Sequence, residues 1–390
     1  MARSLRSPRA ALFTCLLSLA AGACTDFEEP SALTGPQFAS VGAGSHADAV
    51  SVYTQNLWLG GSTGPLFSID LGDLSQVIPA VNLFWAQVLA SNVPERAVEF
   101  VNELEERQPE VVGLQEAVGY ATGSLNLATG EFTPTALGPD LLVSVMTEIG
   151  TRGLPYSIAV MQDMTGIALP LDLPDASFVA PALAIQDRVV MLKRDDVVAT
   201  GLASGIYDAR IDLGPVDFIR GWVRMTVEQD GVDHHYIATH LETQAARPIN
   251  EAQGLELIEL VDALDGVAVV MGDLNSDAAA DPSAPSWTET YDNLIGAGFS
   301  DVWYESAPRA PSDDGVTCCL EDDPAGIVPV ERIDFILVRS DRLANDEGRH
   351  RGFFEAEVIG DMESDRTPSG LWPSDHAGLI GSLRLPGGTR

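Results

Sequence analysis

The chain has 390 residues, of which 45% are apolar, and this is enough for one large globular domain with a sizeable core. Its formal net charge is −35, and Lys193 is the single lysine. Because non-specific binding to nucleic acid depends on neutralising several phosphates with lysine or arginine, this composition argues against a protein that holds a polyanion tightly or processively.

The N-terminal segment is typical of a secretion signal. Three arginines among the first nine residues precede an apolar stretch at 10–21, which is too short to cross a bilayer as a mature helix. Small residues at 20–23 lead into Cys24, a junction that resembles a bacterial lipobox. We therefore predict a signal peptide at 1–23, a lipidated Cys24 and a flexible tether at 24–48. Ordinary cleavage after Ala23 with a free Cys24 thiol is the alternative.

Short apolar runs that end in a polar residue predict the strands of a sheet core. In chain order these runs are residues 52–56, 111–116, 189–192, 222–227, 236–240, 269–273, 333–338 and 378–383. The Gln-Asp-Gly turn at 229–231 predicts a hairpin between two of them. Because hairpins and helices both connect the strands, we expect mixed sheets rather than all-parallel ones.

Two amphipathic helices are predicted between these strands. One begins near Asn92, with Pro94 at its first turn, and is stopped by Pro109; the other spans 250–264. The apolar segment 77–89 is left open between a loop and a helix. The Gly-, Pro- and Thr-rich region 119–181 is predicted to form loops around a helix at 141–149.

The adjacent cysteines Cys318 and Cys319 can form a vicinal disulfide or remain thiols. No Cys-x-x-Cys spacing is present, so these two residues alone do not predict a structural zinc site. Neither has a basic neighbour in the sequence that would lower its pKa, which argues against a cysteine nucleophile.

The run Val-Val-Met-Gly-Asp-Leu-Asn at 269–275 is the most informative segment of the chain. It predicts a buried strand that ends in a tight turn and presents Asp273 and Asn275 together. A carboxylate can bind a hard cation or orient a water, and an amide can donate a hydrogen bond to a phosphate oxygen. These two residues are therefore candidates for phosphoester chemistry.

Other polar residues follow apolar runs in the same way. Asn56, Glu116 and His240 each end a predicted strand, and Asp375 and His376 lie near the C-terminus just before another. We expect these residues to meet at one edge of the sheet core, where carboxylate, amide and imidazole groups together could bind a cation and transfer protons.

The ordered set of these motifs resembles the endonuclease/exonuclease/phosphatase family, which includes pancreatic-type deoxyribonucleases, apurinic endonucleases, neutral sphingomyelinases and inositol-polyphosphate phosphatases. The resemblance covers about residues 50–385. It implies a catalytic domain at 49–386 with an α+β fold, a four-layer αββα sandwich of two mixed sheets with helices outside. The motifs that carry it are Asn56, Gln115-Glu116, Thr239-His240-Leu241, Gly272-Asp273-Leu274-Asn275, Arg332-Ile333-Asp334 and Ser374-Asp375-His376.

The resemblance also implies a divalent cation, Mg²⁺ with Mn²⁺ as a possible substitute, held by Asn56, Glu116 and Asp375. Asn56 would position either the metal or the substrate phosphate. Mg²⁺ suits such a site because it is a hard ion that needs only one or two protein carboxylates. The plainer alternatives are a turn-forming asparagine and surface carboxylates.

Catalytic roles follow from the same resemblance. Asp273 would orient the attacking water, and Asn275 would hold a non-bridging phosphate oxygen. His376, with Asp334 on its far nitrogen, would act as the general base or stabilise the phosphate, and His240 would donate a proton to the leaving group.

Arg220 is a further candidate to bind the substrate phosphate, with a surface ion pair as the plainer alternative. Arg188 is a weaker candidate of the same kind. The remaining histidines, which include His234 and His235, have no comparable sequence context and are expected to be solvated.

These observations predict an exported metal-dependent phosphoesterase that hydrolyses a phosphodiester or a phosphomonoester. Alternatives are a secreted nuclease acting on DNA or RNA, and a lipid phosphodiesterase similar to sphingomyelinase or phospholipase C. A catalytically silent surface-binding lipoprotein is the alternative from outside enzymology. The acidity and the tether favour a small ester or a lipid head group over bulk DNA, and no obligate protein partner is expected.

Overall fold

The computed structural model describes residues 49–212, 217–306, 314–320, 330–340 and 353–385. The predicted signal peptide at 1–23, Cys24 and the predicted tether at 24–48 lie outside the described residues. Export, lipidation and the domain boundaries therefore stay predictions.

Strands and helices alternate along the described chain. The strands are β1 (Val50–Asn56), β2 (Val111–Gln115), β3 (Gly119–Asn126), β4 (Phe132–Asp140), β5 (Tyr156–Pro170), β6 (Val179–Arg194), β7 (Thr200–Ile206), β8 (Ile211–Asp212), β9 (Asp217–Phe218), β10 (Gly221–Gln229), β11 (Val232–His240), β12 (Val267–Asp273), β13 (Ser300–Asp301), β14 (Asp334–Arg339), β15 (Phe353–Ile359) and β16 (Gly378–Arg384). The helices are α1 (Gly64–Phe67), α2 (Leu74–Ala90), α3 (Val93–Arg107), α4 (Leu141–Arg152), α5 (Arg247–Asp262), α6 (Thr290–Gly296) and α7 (Val302–Glu305).

Two large mixed sheets form the centre of the fold. The first has the strand order β15-β16-β1-β2-β6-β3-β4, with β5 paired to β6, and the second has the order β13-β14-β12-β11-β10-β7. The pairs β1–β2 and β11–β12 are parallel, whereas the other neighbours in both sheets are antiparallel. The prediction of mixed sheets is confirmed.

The alternation of side chains along β12 shows how the layers are built. Val267, Val269 and Met271 belong to the core between the two sheets, and Ala268 and Val270 face the helices on the opposite side. All of these residues are buried. A strand that is buried on both faces has a nearly continuous run of apolar residues, and β12 could therefore be predicted from the sequence.

Close contact between the sheets constrains one glycine of β2. A Cβ atom on Gly113 would lie 2.8 Å from Cγ of Met271 and 2.9 Å from Cβ of Ala238 in the opposite sheet. Any side chain here would push the two layers apart. Gly113 therefore lets the sheets approach next to the strand ends that carry the polar motifs.

Helices cover both outer faces of the sandwich. Buried residues of α3 and α4 pack on the outer face of the first sheet, and buried residues of α5 and α6 pack on the second. The predicted four-layer αββα architecture is confirmed. Among the described residues no single helix is long and apolar enough to cross a membrane; only α2 and α3 together, bent by 52°, meet length and composition requirements.

The predicted hairpin is confirmed, and the apolar segment 77–89, for which the sequence allowed a loop or a helix, is helical. Asp230 and Gly231, which join β10 to β11, have φ angles of 52° and 75°, as a two-residue hairpin turn with a right-handed twist requires. The segment 77–89 is helical, as part of α2, and Asp73 caps its N-terminus through the backbone nitrogen of Ser75.

The prediction of loops over 119–181 was wrong. This region contains β3, β4, β5 and the start of β6 in addition to α4. Residues 133–137 of β4 are exposed on an edge strand, where proline and glycine are tolerated and the apolar alternation that marks a buried strand is absent. The prediction of solvated His234 and His235 was also wrong, since both are buried, and His235 is hydrogen-bonded to Thr226 and Asp265.

Candidate active site

The strand ends bring the polar motifs together at one edge of the sandwich. His240, Asp273 and Asp334 are aligned across β11, β12 and β14, because His240 pairs with Asp273 in register and Asp273 pairs with Asp334. In the facing sheet, Asn56 ends β1 and Glu116 follows the last residue of β2. Residues far apart in sequence therefore meet through strand register.

Asp273 lies at the centre of this cluster. One carboxylate oxygen accepts a hydrogen bond from Nδ2 of Asn56 at 3.0 Å, and the other accepts from the backbone nitrogen of Asn275 at 2.9 Å. Nε2 of His240 lies 3.4 Å from the first oxygen. Burial, together with the nearby Asp334 carboxylate, raises the pKa of Asp273, although His376 opposes this shift. A carboxylate of raised basicity can accept a proton near neutral pH.

Asp334 and Thr317 hold His376. Nδ1 of His376 lies 2.8 Å from Oδ2 of Asp334, and the Thr317 hydroxyl donates to the same oxygen at 2.7 Å. Although burial lowers the pKa of His376, the hydrogen bond and the charge of Asp334 outweigh it and raise the pKa well above its ordinary value. The ring is therefore positively charged at neutral pH, with Nε2 as its second donor.

His240 is held in the opposite state by Arg220. Nη1 of Arg220 lies 3.0 Å from Nδ1 of His240, and a guanidinium group can only donate. Nδ1 must therefore accept, which places the ring proton on Nε2, toward Oδ2 of Asp273 at 3.4 Å. Nδ2 of Asn275 lies 3.2 Å from the same ring nitrogen and donates instead to the backbone oxygen of Leu241 at 3.1 Å. Burial and then the Arg220 charge lower the pKa of His240 well below its ordinary value, so this imidazole stays neutral.

Arg220 is itself compensated by two buried acids. Its guanidinium lies 3.3 Å from each carboxylate oxygen of Glu242 and 3.5 Å from Asp187. The Arg220 guanidinium, which the sequence suggested as a ligand of the substrate phosphate, is thus already in contact with His240, Glu242 and Asp187. The structure places Arg220 behind His240, and phosphate binding by it stays a prediction. Arg188 is paired with Asp140 at 2.8 Å and does not belong to this cluster.

Glu116 and Asp375 both line one cavity at this edge of the sandwich. Oε2 of Glu116 accepts from the backbone nitrogen of Leu59 at 2.6 Å. Burial raises the pKa of Asp375, and repulsion by Glu116 adds to the shift. Glu116 has a φ of 51°, and Asn275 a φ of 48°, in the left-handed region where strain is tolerated only when surrounding contacts impose it.

The donor set fits a hard divalent cation. Oδ1 of Asp334 is fully buried and has no hydrogen-bond partner among the described residues, and the ligand atoms of Asp273, Asp334 and His376 lie within 4.8 Å of one another. Carboxylate and amide oxygens are the ligands that Mg²⁺ and Mn²⁺ prefer. The four carboxylates of Asp273, Asp334, Glu116 and Asp375 outnumber the cationic side chains beside them, His376 and Arg96, and a divalent cation would balance the excess negative charge.

Sequence reasoning missed Arg96, which lies behind the site. It donates to backbone oxygens of Pro373, at 2.9 Å, and of Leu57, and its guanidinium lies 4.6 Å from the centre of the Trp58 ring. It thereby ties the segment after Asn56 to the segment before Asp375. The sequence did contain a sign of this role. Arg96 is a charged residue at a helical position that falls on the apolar, buried face of α3.

The chain matches one protein-family model over most of its length. The model of the Endonuclease/Exonuclease/phosphatase family matches residues 56–376. No curated protein matches the chain.

Solved structures of the same fold are distant in sequence. An endonuclease/exonuclease/phosphatase from Beutenbergia cavernae is 18% identical with a TM-score of 0.50, covering 87% of this chain and 72% of that one. A humanised D. rerio TDP2 is 15% identical (TM-score 0.48, covering 86% and 99%). A family protein from Leptotrichia buccalis is 14% identical (TM-score 0.48, covering 86% and 99%).

Proposed function

Since the chain belongs to the endonuclease/exonuclease/phosphatase family, whose members are metal-dependent hydrolases of phosphoester bonds, we propose that it is an exported, Mg²⁺-dependent phosphodiesterase for small esters. The observation that carries the proposal is the buried cluster of Asp273, Asn275, His240 and the Asp334–His376 pair at one edge of the sandwich. Such a cluster has the groups needed to deprotonate water and to hydrogen-bond a phosphoryl group.

In this mechanism each side chain has a separate task. A bound Mg²⁺, for which Asn56, Glu116 and Asp375 are the candidate ligands, would neutralise charge on the phosphate. Asp273 and His376 orient the attacking water, and Asp273 accepts its proton. His376 also donates from Nε2 to the phosphoryl group, and Asn275 holds a non-bridging oxygen.

The charge states of the two imidazoles favour different tasks for them. His240 is neutral, with its proton on Nε2, so it serves best as a hydrogen-bond donor to the phosphoryl group. His376 carries the raised pKa, so it serves best as a charged hydrogen-bond donor to the phosphoryl group on the side of the attacking water. Proton donation to the leaving oxygen by His240, which the sequence resemblance suggested, stays a prediction.

A small ester is favoured over bulk nucleic acid as substrate. The net charge of −35 repels a polyanion, and Arg220, the basic residue nearest to His240, is already engaged by Glu242 and Asp187. A secreted nuclease is the alternative that the sequence left open, and it is therefore the competing activity that the test includes.

The test is hydrolysis of bis(p-nitrophenyl) phosphate with Mg²⁺, with and without chelator. We expect Asp273→Asn and His376→Ala to lower kcat/KM at least about a thousandfold, because each removes a proton-transfer group. Asp281→Asn, the same chemical change at an exposed turn, is the matched control and should keep full activity. Retained turnover in Asp273→Asn would reject the mechanism, and preferred cleavage of plasmid DNA would favour a nuclease.

A further inference from the structure

A cavity of about 570 Å³ opens beside the candidate metal ligands Glu116 and Asp375. Its other walls come from the segment after β1, from the C-terminal turn of α2 and from the segments around Leu320 and Leu371. Pockets of this size take whole small molecules rather than single phosphate groups. A substrate whose phosphorus lies at the carboxylates would extend one of its ester groups into this cavity.

The charge of the cavity restricts what that group can be. Among the described residues that line it, the charged side chains are the acids Glu116 and Asp375, and none is lysine or arginine. Among these described lining residues, a second phosphate or a carboxylate would find no lysine or arginine to pair with, so its desolvation would cost more than that of a neutral group. If a divalent cation is bound, the two acids are neutralised by it and leave no net charge for a cationic group either.

The walls combine a flat aromatic ring with neutral polar groups. Trp58 lines the cavity, and its ring is held from one side by the Arg96 guanidinium, 4.6 Å from the ring centre. Ser62, Thr63 and Gln87 add hydroxyl and amide groups to the lining. The lining thus contains an aromatic ring, hydroxyl and amide groups, and the apolar side chains of Leu59, Leu320 and Leu371. This combination suits a ring that has an apolar face and carries its own hydroxyl groups.

We propose that this cavity is the specificity subsite of the enzyme and binds an uncharged, hydroxyl-bearing ring, a sugar or a nucleoside, on one side of the scissile phosphodiester. This proposal rests on the proposed function, because it assigns the phosphorus to the adjacent carboxylates. It predicts that substrates differ in kcat/KM according to this ring, whereas esters too small to enter the cavity report the chemistry alone.

The experiment compares p-nitrophenyl phosphodiesters that differ in the second ester group: methyl, glucosyl, thymidine 5′-yl and choline. We expect the glucosyl or the thymidine ester to exceed the methyl ester at least tenfold in kcat/KM, and the two arms distinguish a sugar from a nucleoside. Equal values for all four esters, or preference for the cationic choline ester, would overturn the proposal. Hydrolysis of the methyl ester shows in every case whether the proposed function holds.

Variants of α2 locate the effect. Ala90→Phe adds a bulky side chain at the cavity wall. The ratio of kcat/KM for the preferred ring-bearing ester to that for the methyl ester should fall to near one. Turnover of the methyl ester should change less than twofold. Leu89→Phe, at the neighbouring exposed position that does not line the cavity, is the matched control and should keep the preference. An unchanged preference in Ala90→Phe, and in Thr63→Phe as a second filling variant, would overturn the proposal.

Binding without turnover separates the two hypotheses. Saturation-transfer NMR with thymidine and with methyl glucoside reports ring binding even if no ester is hydrolysed. We expect one of the two to bind to the wild type and to lose binding in Ala90→Phe. Hydrolysis of the methyl ester without ring binding would reject the subsite alone, whereas ring binding without hydrolysis of any ester would reject the proposed function.

Discussion

His240 and His376 are two buried imidazoles of one cluster, and their neighbours give them opposite charges. A donor-only guanidinium faces Nδ1 of His240, whereas a carboxylate faces Nδ1 of His376. Burial lowers the pKa of both rings; Arg220 lowers that of His240 further, whereas the Asp334 carboxylate raises that of His376. Neither partner is adjacent in sequence, so the charge states follow from the fold.

The first prediction concerns the protonation of His240. We expect its ring to remain the neutral Nε2–H tautomer from pH 5.5 to 8 in ¹⁵N-histidine NMR spectra, with the resonance assigned from His240→Asn. In Arg220→Gln the positive charge is gone, so the pKa of His240 should rise toward its ordinary value. Activity should fall about tenfold, as for other residues that orient a catalytic side chain. Titration of wild-type His240 near pH 6.5 would contradict the assignment.

At the scale of elements, α3 connects packing to the site. Its apolar stripe contains Arg96, whose hydrogen bonds to Leu57 and Pro373 fix the two segments that flank Asn56 and Asp375. A residue of α3, which is not itself part of the site, therefore holds the two backbone segments next to the candidate metal ligands. Such outer contacts commonly affect metal affinity as much as the ligands do.

Arg96→Lys tests this connection. Lysine keeps the positive charge, but it lacks the planar guanidinium that donates to several acceptors at once. We therefore expect the free energy of unfolding to fall by about 2 kcal/mol and Mg²⁺ binding to weaken about tenfold. Urea denaturation and calorimetry measure the two effects. Arg107→Lys on the same helix, where Arg107 pairs with Glu357, is the control and should leave Mg²⁺ binding unchanged. Equal Mg²⁺ affinity in Arg96→Lys would exclude a positioning role.

The same helix carries a destabilising acid. Burial, and then repulsion from Asp365, raise the pKa of Glu103 to about 7 in the folded protein. The folded state therefore binds more protons than the unfolded state between pH 4.5 and 7, and stability falls as pH rises through that window.

Glu103→Gln should remove this pH dependence. The variant should be more stable than the wild type by about 1–2 kcal/mol at pH 8, a figure reduced for the exposed part of the side chain, and equally stable at pH 4. Denaturant titrations at the two pH values make the comparison. A variant that is less stable at pH 8 would show that the ion pair of Glu103 with Arg107 outweighs burial.

The whole molecule shows where sequence reasoning succeeds. Strands with both faces buried, such as β1 and β12, were predicted because apolar runs ended in polar residues, and the four-layer fold came with the family resemblance. Strands β3, β4 and β5 were missed because many of their positions are only partly buried or exposed and show no apolar alternation. The environment of each site residue could not be predicted, since strand register and distant partners such as Glu242 determine it.

The acidity of the whole chain has a measurable consequence for polyanionic substrates. Because like charges repel and salt screens them, KM for a single-stranded DNA oligonucleotide should fall several-fold as NaCl rises from 50 to 300 mM. A small diester should show no such change. Weaker DNA binding at higher salt, which is the behaviour of proteins that neutralise phosphates, would contradict this expectation.

The central claim is that side chains from distant parts of the chain meet around a divalent cation at one edge of the sandwich. Calorimetric titration with Mg²⁺ tests it most directly. We expect saturable binding in the wild type and in Asp281→Asn, and at least tenfold weaker binding in Glu116→Gln and in Asp375→Asn. If Mg²⁺ and Mn²⁺ both fail to bind the wild type, or if all four proteins bind equally, the proposed reaction centre does not exist.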